Sequence, residues 1–258
     1  MSRTRLKEMM RNKSAKLGHF IVEFATPGIG HIVKAAGCDF VFFDMEHSGF
    51  SFETLKSAIR YFEAADVSVI VRVPGQENDM LARACDMGAE GLIAPMISTV
   101  AQAQAMVDSV KYHPIGKRGV GLALAHDNYR SAPVADALKA ANDRTSVICL
   151  IETADGAENV DGIAALPGVD ALWVGHFDLS VSLGIPGEFG HPKFKAAMER
   201  IIAAAKKHKK SLGRLVPNVQ QGTDHYKQGF DFICYSGDVW VLRDALAEAM
   251  GKLRAECV

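Results

Sequence analysis

The sequence predicts an α/β protein with a (β/α)8 barrel, and three observations support this prediction. Eight short runs rich in apolar and β-branched residues alternate with amphipathic segments, in which apolar residues recur three and four positions apart. Strands that alternate with helices form βαβ units and therefore a parallel sheet. The chain has 258 residues, and α/β barrels of about 250 residues commonly form one domain. We expect a single barrel domain over residues 1–258.

The eight predicted strands are distributed along the whole chain. They are His19–Glu23, Phe40–Asp44, Ser68–Val73, Gly91–Ala94, Val147–Glu152, Ala171–Gly175, Ser211–Val216 and Asp231–Tyr235. The segments Val69–Val71 and Val147–Ile151 are apolar throughout. Such strands are typical of a parallel sheet that is covered on both faces.

Amphipathic helices are predicted between several of these strands. They cover Phe52–Ala65, Glu77–Met87, Thr99–Tyr112, Ala157–Leu166 and Pro192–Lys209. A doubly wound open sheet is the competing architecture, and its usual mark is a glycine-rich phosphate turn after the first strand. Here that turn holds only Gly28 and Gly30 and lacks the third glycine. The barrel is therefore favoured, and nucleotide binding at this turn is not.

Residues 114–144 form the longest stretch without helical or strand periodicity. The stretch contains several glycine and proline residues, and it carries His126 and Tyr129 as candidates to reach a substrate or a neighbouring subunit. We expect an irregular loop here, because long loops in compact domains usually serve as lids or interface segments.

Composition narrows the functional classes. Hydrophobic residues make up 48% of the chain and charged residues 23%, as in packed globular domains. The 29 basic and 30 acidic residues give a net charge of −1, which offers no general attraction to nucleic acid or anionic lipid. Five scattered cysteines without a C-x-x-C pair favour reduced thiols. We expect a cytoplasmic protein that binds a small molecule, with no nucleic-acid or membrane partner.

Polar side chains follow the predicted strands at their carboxyl ends. His47 comes shortly after the second strand, Arg72 closes the third, Glu152 ends the fifth and Asp178 follows the sixth. In α/β barrels the active site lies at this end of the strands. We therefore expect these four side chains to meet at one rim of the barrel.

This set of side chains suits chemistry at a 2-oxo acid. Carboxylate oxygens such as those of Glu152 and Asp178 are ligands that Mg²⁺ and Mn²⁺ prefer. An ion held in this way binds the keto and carboxylate oxygens of the acid and stabilises an enolate. Arg72 would pair with developing negative charge, and His47 is suited to proton transfer near neutral pH.

Four sequence blocks resemble the signature of the HpcH/HpaI aldolase family. They are Phe43–His47, Val71–Pro74, Ile151–Thr153 and Val174–Ser180. The resemblance extends over about residues 18–249. It implies a (β/α)8 barrel and reversible aldol cleavage of a 4-hydroxy-2-oxo acid to pyruvate and an aldehyde, as in 2-dehydro-3-deoxyglucarate aldolase and 4-hydroxy-2-oxoheptanedioate aldolase. It also implies a homohexamer, a trimer of dimers, that exchanges C-terminal helices.

The same resemblance implies a divalent ion, with Mg²⁺ or Mn²⁺ as the first candidates and Co²⁺ as a further one. Glu152 and Asp178 match the two protein ligands of this ion, with the family's interval of 26 residues. The backbone around Phe177 and Asp178 matches the segment that holds the carboxylate of the substrate.

The resemblance also implies catalytic roles for three side chains. His47 matches the proton acceptor, and Arg72, 25 residues further on, matches the arginine that stabilises the transition state. Asp86, 14 residues after Arg72, matches the acid that raises the basicity of the histidine.

The chain departs from the family pattern at three positions. Leu150 stands where the family aldolases usually carry a glutamine, so a hydrogen bond to substrate is missing. His176 and Phe177 replace the usual proline and small residue before the metal-binding aspartate. These changes predict a less polar acceptor aldehyde, or a 2-oxo acid other than pyruvate.

Two alternatives remain at this point. The first is a CoA-ester lyase of the citrate-lyase β-subunit type, although the sequence offers no obvious site for a nucleotide 3′-phosphate. The second is a non-catalytic barrel in which the changes at Leu150 and Phe177 have altered the site.

Overall fold

A computed structural model describes residues 5–257 of the chain; residues 1–4 and 258 of the expected domain lie outside the described part. Eight parallel strands pair in sequence order and close on themselves, so β8 pairs with β1. The strands are β1 (Lys16–Ile21), β2 (Phe40–Asp44), β3 (Ser68–Arg72), β4 (Gly91–Ala94), β5 (Ser146–Ile151), β6 (Val169–Val174), β7 (Ser211–Val216) and β8 (Phe232–Gly237). The predicted (β/α)8 barrel is confirmed.

Helices surround the strands in the described residues. They are α1 (Arg5–Arg11), α2 (Ile29–Ala35), α3 (Phe52–Ala64), α4 (Asn78–Met87), α5 (Val100–Val110), α6 (Val134–Arg144), α7 (Ala154–Ala165), α8 (His176–Ser182), α9 (Pro192–Lys207), α10 (Val219–Lys227) and α11 (Asp238–Cys257). The expectation of an irregular loop over 114–144 is wrong for its second half, because α6 begins directly after Pro133. Proline is well suited to a helix start, since its fixed φ angle fits and its missing N–H needs no partner.

Two packed layers fix the strands in place. Inside the barrel, aromatic and aliphatic side chains such as Phe40, Phe42 and Trp173 fill the interior, as alternate residues of barrel strands do. Leu6 and Met10 of α1 join this cluster and close the end where the strands begin. Outside, the other strand residues pack against the helices in a larger cluster. The interior formed by the described strands is therefore solid, and the space for a substrate above it lies at the end where the strands finish.

The C-terminal helix α11 follows β8 but does not cover the barrel as the other helices do. From Val241 onward its described residues are all exposed. No helix formed by residues 5–257 has the length and apolar character needed to cross a membrane.

Candidate active site at the barrel mouth

Arg72, the last residue of β3, is fixed by two carboxylates, one at the end of β2 and one in the loop that follows it. Its Nε donates to Asp44 Oδ1 at 2.6 Å and its Nη2 donates to Asp44 Oδ2 at 2.9 Å. Asp44 and Arg72 are direct partners in the register of the two strands. The third nitrogen, Nη1, lies 3.0 Å from Glu46 Oε2. The guanidinium is thus held in one orientation by a two-pronged contact, which gives geometric precision as well as stability.

Asp44 also shapes the loop that carries the predicted base. The backbone N–H groups of Glu46 and His47 donate to its two carboxylate oxygens, each at 3.1 Å. His47 itself is 64% exposed, and its Nε2 lies 3.8 Å from Glu46 Oε2. One buried carboxylate therefore positions both the arginine and the histidine. Sequence reasoning did not assign Asp44 or Glu46 a role, and the only signal was an acid at the end of a fully apolar strand.

Glu152 follows β5 and is almost fully buried at the mouth. Its Oε1 accepts a hydrogen bond from the backbone N–H of Met96 at 2.7 Å. Burial, together with the negative charges of Asp178 and Glu46, raises the pKa of Glu152 to about 7. A nearby positive charge would strongly stabilise the ionised form of this buried carboxyl group.

Asp178 reaches the site from the first turn of α8, which starts where β6 ends. It is exposed, and its charge acts on both Glu152 and Glu46. Gly175, the residue before this helix, leaves room for Glu152, because a Cβ atom at this position would lie 2.3 Å from Glu152 Oε2. The strand end and the helix start can approach this closely only through glycine.

The floor of the site is apolar and aromatic. The Arg72 guanidinium carbon lies 5.5 Å from the Phe42 ring centre and 5.9 Å from that of Phe20. Leu150 is buried in the same interior cluster and is paired in register with Trp173. No polar side chain stands at the position where the family resemblance leads us to expect a glutamine.

An aromatic group forms the wall beside Asp178. Phe177 is 62% exposed, and its ring packs on His176 at 4.4 Å and on Phe189 at 5.5 Å between ring centres. His176 also contacts Phe189, at 5.3 Å. Two rings therefore support Phe177 from behind and leave part of its surface open to solvent.

Asp86 does not join this group within one chain. It lies near the end of α4, which runs from the mouth toward the opposite end of the barrel. Its carboxylate pairs with Arg118, and the Nδ1 of His126 lies 3.9 Å away. In the described residues no ion pair joins it to His47. The structure thus brings together His47, Arg72, Glu152 and Asp178 of the predicted set, and places Asp86 elsewhere.

Comparison with known proteins identifies the family. The HpcH/HpaI aldolase/citrate lyase family model matches residues 18–245. The chain belongs to this family. The HpcH/HpaI relatives include a 5-keto-4-deoxy-D-glucarate aldolase from Klebsiella pneumoniae subsp. pneumoniae, 33% identical over 231 residues that cover 88% of this chain and 90% of the relative.

A second HpcH/HpaI relative is a hydroxypyruvate/pyruvate aldolase from Paraburkholderia phytofirmans. It is 36% identical over 227 residues, which cover 85% of this chain and 86% of the relative. Among solved structures, a family member from Burkholderia cenocepacia superposes with a TM-score of 0.89 at 31% identity and covers 98% of this chain and 100% of that one. This HpcH/HpaI protein is therefore an aldolase, a carbon–carbon lyase, as the sequence predicted.

Proposed function

We propose that this aldolase cleaves a 4-hydroxy-2-oxo acid reversibly to pyruvate, or a related 2-oxo acid, and an aldehyde, and that it uses a divalent metal ion. The observation that carries the proposal is the pair of carboxylates of Glu152 and Asp178 beside the clamped guanidinium of Arg72. The names of the aldolase relatives support the substrate class. The alternative of a CoA-ester lyase gains no support from the site.

The carboxylates at the mouth fit a divalent ion. Glu152 is buried beside two other acids, and the nearby guanidinium of Arg72 already contacts Asp44 and Glu46. Within residues 5–257, no group of three or more His, Cys, Asp or Glu side chains is arranged to hold an ion. Glu152 and Asp178 alone would hold it, with water and substrate as further ligands, which suits Mg²⁺ or Mn²⁺ and also Co²⁺.

When bound, the ion would polarise the keto oxygen and stabilise negative charge on the three-carbon fragment. Arg72 would donate hydrogen bonds to the oxygen on which that charge develops, and its contacts with Asp44 keep it in place throughout. His47, exposed at the rim, would take the proton of the C4 hydroxyl as the C3–C4 bond breaks. The backbone at Phe177 and Asp178 would receive the carboxylate of the substrate.

A second copy of the chain would complete this arrangement. Asp86 is separated from His47 within one chain, so it can raise the basicity of His47 only across a subunit interface. We propose a homohexamer, a trimer of dimers, in which each C-terminal helix packs on a neighbour.

We also propose that the protein is cytoplasmic and that residues 1–258 form one domain. The free state of all five cysteines fits the cytoplasmic location.

The acceptor aldehyde would be less polar than the hydroxylated aldehydes that sugar-acid aldolases release. Leu150 offers no hydrogen bond, and the supported ring of Phe177 offers an apolar surface next to Asp178. We expect a lower KM for propanal than for glyceraldehyde in the addition direction. The Phe177→Ser variant should reduce this preference, because it removes the apolar surface and adds a hydroxyl group.

Pyruvate release from a 4-hydroxy-2-oxo acid, measured with and without chelator, tests the proposed reaction. We expect EDTA to abolish turnover and added Mn²⁺ to restore it; full activity in excess EDTA would contradict the metal mechanism. Glu152→Ala and Asp178→Ala should lose both metal binding and turnover, and His47→Ala should lose turnover alone. Glu158→Ala is a matched control, because Glu158 is an exposed acid on α7.

The same protein tests the non-catalytic alternative. Calorimetric titration with Mn²⁺ in the presence of oxamate, which mimics the enolate of pyruvate, should show binding that Glu152→Ala abolishes. A barrel with an altered site would bind neither the ion nor oxamate.

A further inference from the structure

Arg214 is a buried cation without an anionic partner. It lies in the middle of β7 and is only 5% exposed. Gly213, the preceding residue, faces the barrel interior, because a Cβ there would touch the Trp173 ring. Neighbouring strand residues point to opposite faces, so Arg214 points outward, into the layer between the strands and the helices.

The other buried arginines of the described chain, unlike Arg214, each have a hydrogen-bond or ion-pair partner. Arg118 pairs with Asp86, and Arg144 donates to the backbone oxygen of Gly88 at 3.1 Å. For Arg214, no ion pair or side-chain hydrogen bond is formed with residues 5–257, and its buried Nε has no partner. Burial alone lowers its pKa, to about 10, so the side chain remains charged at neutral pH.

The nearest titratable groups on the packed elements are cationic or neutral. His176 at the start of α8 and His225 on α10 both lie within the field of Arg214. Burial and then the charge of Arg214 lower the pKa of His225, and neither imidazole carries a negative charge that could pair with the guanidinium. Asp224 neighbours His225, but its carboxylate accepts from Gln220 at 3.0 Å.

An uncompensated charge inside a protein is strongly unfavourable. Lysine in this position could lose its proton, whereas the guanidinium group stays protonated. The buried Nε has no partner within the described chain, and a counter-ion from solution that binds the guanidinium reduces this cost. One fixed positive charge in a tightly packed layer, with Phe189 against His176 and Phe230 against His225, suits an ion that is small and monovalent.

We propose that Arg214, bounded by His176 and His225, is a binding site for a small monovalent anion of the size of chloride, separate from the metal and substrate groups at the mouth. The anion neutralises the guanidinium and joins β7 to the start of α8, at His176, and to the last turn of α10, at His225. Its binding stabilises the folded chain, because a ligand that binds only the folded state shifts the unfolding equilibrium.

Thermal unfolding at constant ionic strength tests this site, with sodium gluconate replaced stepwise by sodium chloride. Gluconate is too large to enter the layer, so we expect chloride to raise the Tm of the wild-type protein by about 5 °C. Arg214→Leu should show no response to chloride, and in gluconate it should unfold at a higher temperature than the wild type, because the unpaired charge is gone. Arg200→Leu is the matched control, since Arg200 is an exposed arginine of α9, and it should keep the chloride response.

Crystals of the wild-type protein grown with bromide give a second readout that does not depend on the folding of a variant. We expect an anomalous peak within hydrogen-bonding distance of the Arg214 guanidinium. The proposal is overturned if bromide is absent there, or if Arg214→Leu retains the wild-type response to chloride. A larger stabilisation by sulfate than by chloride, lost in Arg214→Leu, would overturn the assignment to a monovalent anion.

Discussion

Glu152 carries the strongest electrostatic cost at the mouth, and its raised pKa makes the stability of the folded protein depend on pH. The folded protein raises the pKa of this carboxyl from 4.5 to about 7, first through burial and then through Asp178 and Glu46. Below pH 4.5 both folded and unfolded chains hold the proton, so Glu152 causes no penalty. As the pH rises to 7 the unfolded chain ionises first, and the folded state loses stability by up to about 3 kcal/mol.

Glu152→Gln should therefore stabilise the metal-free protein in a pH-dependent way. We expect the free energy of unfolding in EDTA to rise by about 2–3 kcal/mol at pH 8 and to change little at pH 4.5. Urea unfolding at both pH values measures the difference. The exposed Glu158→Gln serves as the control, and an equal gain in that variant would show that general charge, not the site, is responsible.

Asp44 supports catalysis through the two groups it positions. Asp44→Asn replaces one acceptor oxygen by a donor, so it breaks part of the contact with Arg72 and part of the turn at Glu46 and His47. We expect kcat to fall by about 10²-fold or more and stability to fall by about 3 kcal/mol. Asp161→Asn, an exposed acid on α7, should change stability by less than about 0.5 kcal/mol. An active Asp44→Asn enzyme would contradict the positioning role.

Single side chains differ in how far the sequence predicts them. Arg72 and Glu152 were placed at the mouth because each ends or follows an apolar run, and strand ends converge in a barrel. Asp44 was visible as a strand end, but its bond to Arg72 depends on the register of β2 and β3. Asp86 was assigned only from the resemblance, and the path of α4 takes it away from the mouth of its own chain. The local sequence pattern predicts where a side chain lies along its strand, whereas the side chain it pairs with depends on the register between neighbouring strands.

At the scale of elements, the join between β6 and α8 decides the position of the buried carboxylate. Gly175→Ala should displace Glu152, since the added Cβ would lie 2.3 Å from Oε2 and 2.7 Å from Cβ of that side chain. The backbone φ of −90° at Gly175 is accessible to alanine, so the effect comes from contact and not from backbone strain. We expect the affinity for Mn²⁺, measured by calorimetry, to fall at least about tenfold.

Gly28→Ala is the matched control for this substitution. Gly28 also precedes a helix, with φ of −81°, and a Cβ there would meet nothing within 4 Å. It should bind Mn²⁺ as the wild type does. Unchanged affinity in Gly175→Ala would mean that Glu152 can move without loss and that its exact position does not matter for the ion.

Two physical causes explain why the sequence did not predict α2, α6 and α8. α8 has only seven residues, and α2 has seven as well, so neither completes enough turns to show a helical period. α6 is longer, but it packs weakly, with only three of its residues buried. The polar residues along it make its apolar face hard to recognise from the sequence. The strands were easier, because both faces of a barrel strand are covered and their apolar runs are continuous.

At the scale of the whole molecule, one side of the barrel lacks a covering helix. A groove of about 1090 Å³ lies between α2, α10 and the first turns of α11. Its lining is mainly apolar and includes Ile29, Val33 and Val219. Only the first turns of α11 line this groove. The helix exposes an apolar stripe at Leu242, Leu246, Met250 and Leu253, spaced as on one face of a helix. Exposed apolar surfaces of this size mark interaction sites.

The groove and the stripe fit together if two chains exchange their C-terminal helices. We expect the wild-type protein to have a mass in light scattering that is a multiple of its 27.9 kDa chain, with six copies for the proposed hexamer.

The double variant Leu246→Asp with Met250→Asp places charges in the interface and should dissociate the exchanged pair, because a charge buried without a partner costs several kcal/mol. Lys252→Asp is the control on the same helix, since Lys252 is exposed and pairs with Glu248. If Asp86 acts on His47 across the interface, the dissociated variant loses kcat while its metal-binding carboxylates remain in one chain. Retained turnover in a monomer would show that catalysis does not need a second chain, and would contradict the action of Asp86 on His47 across the interface.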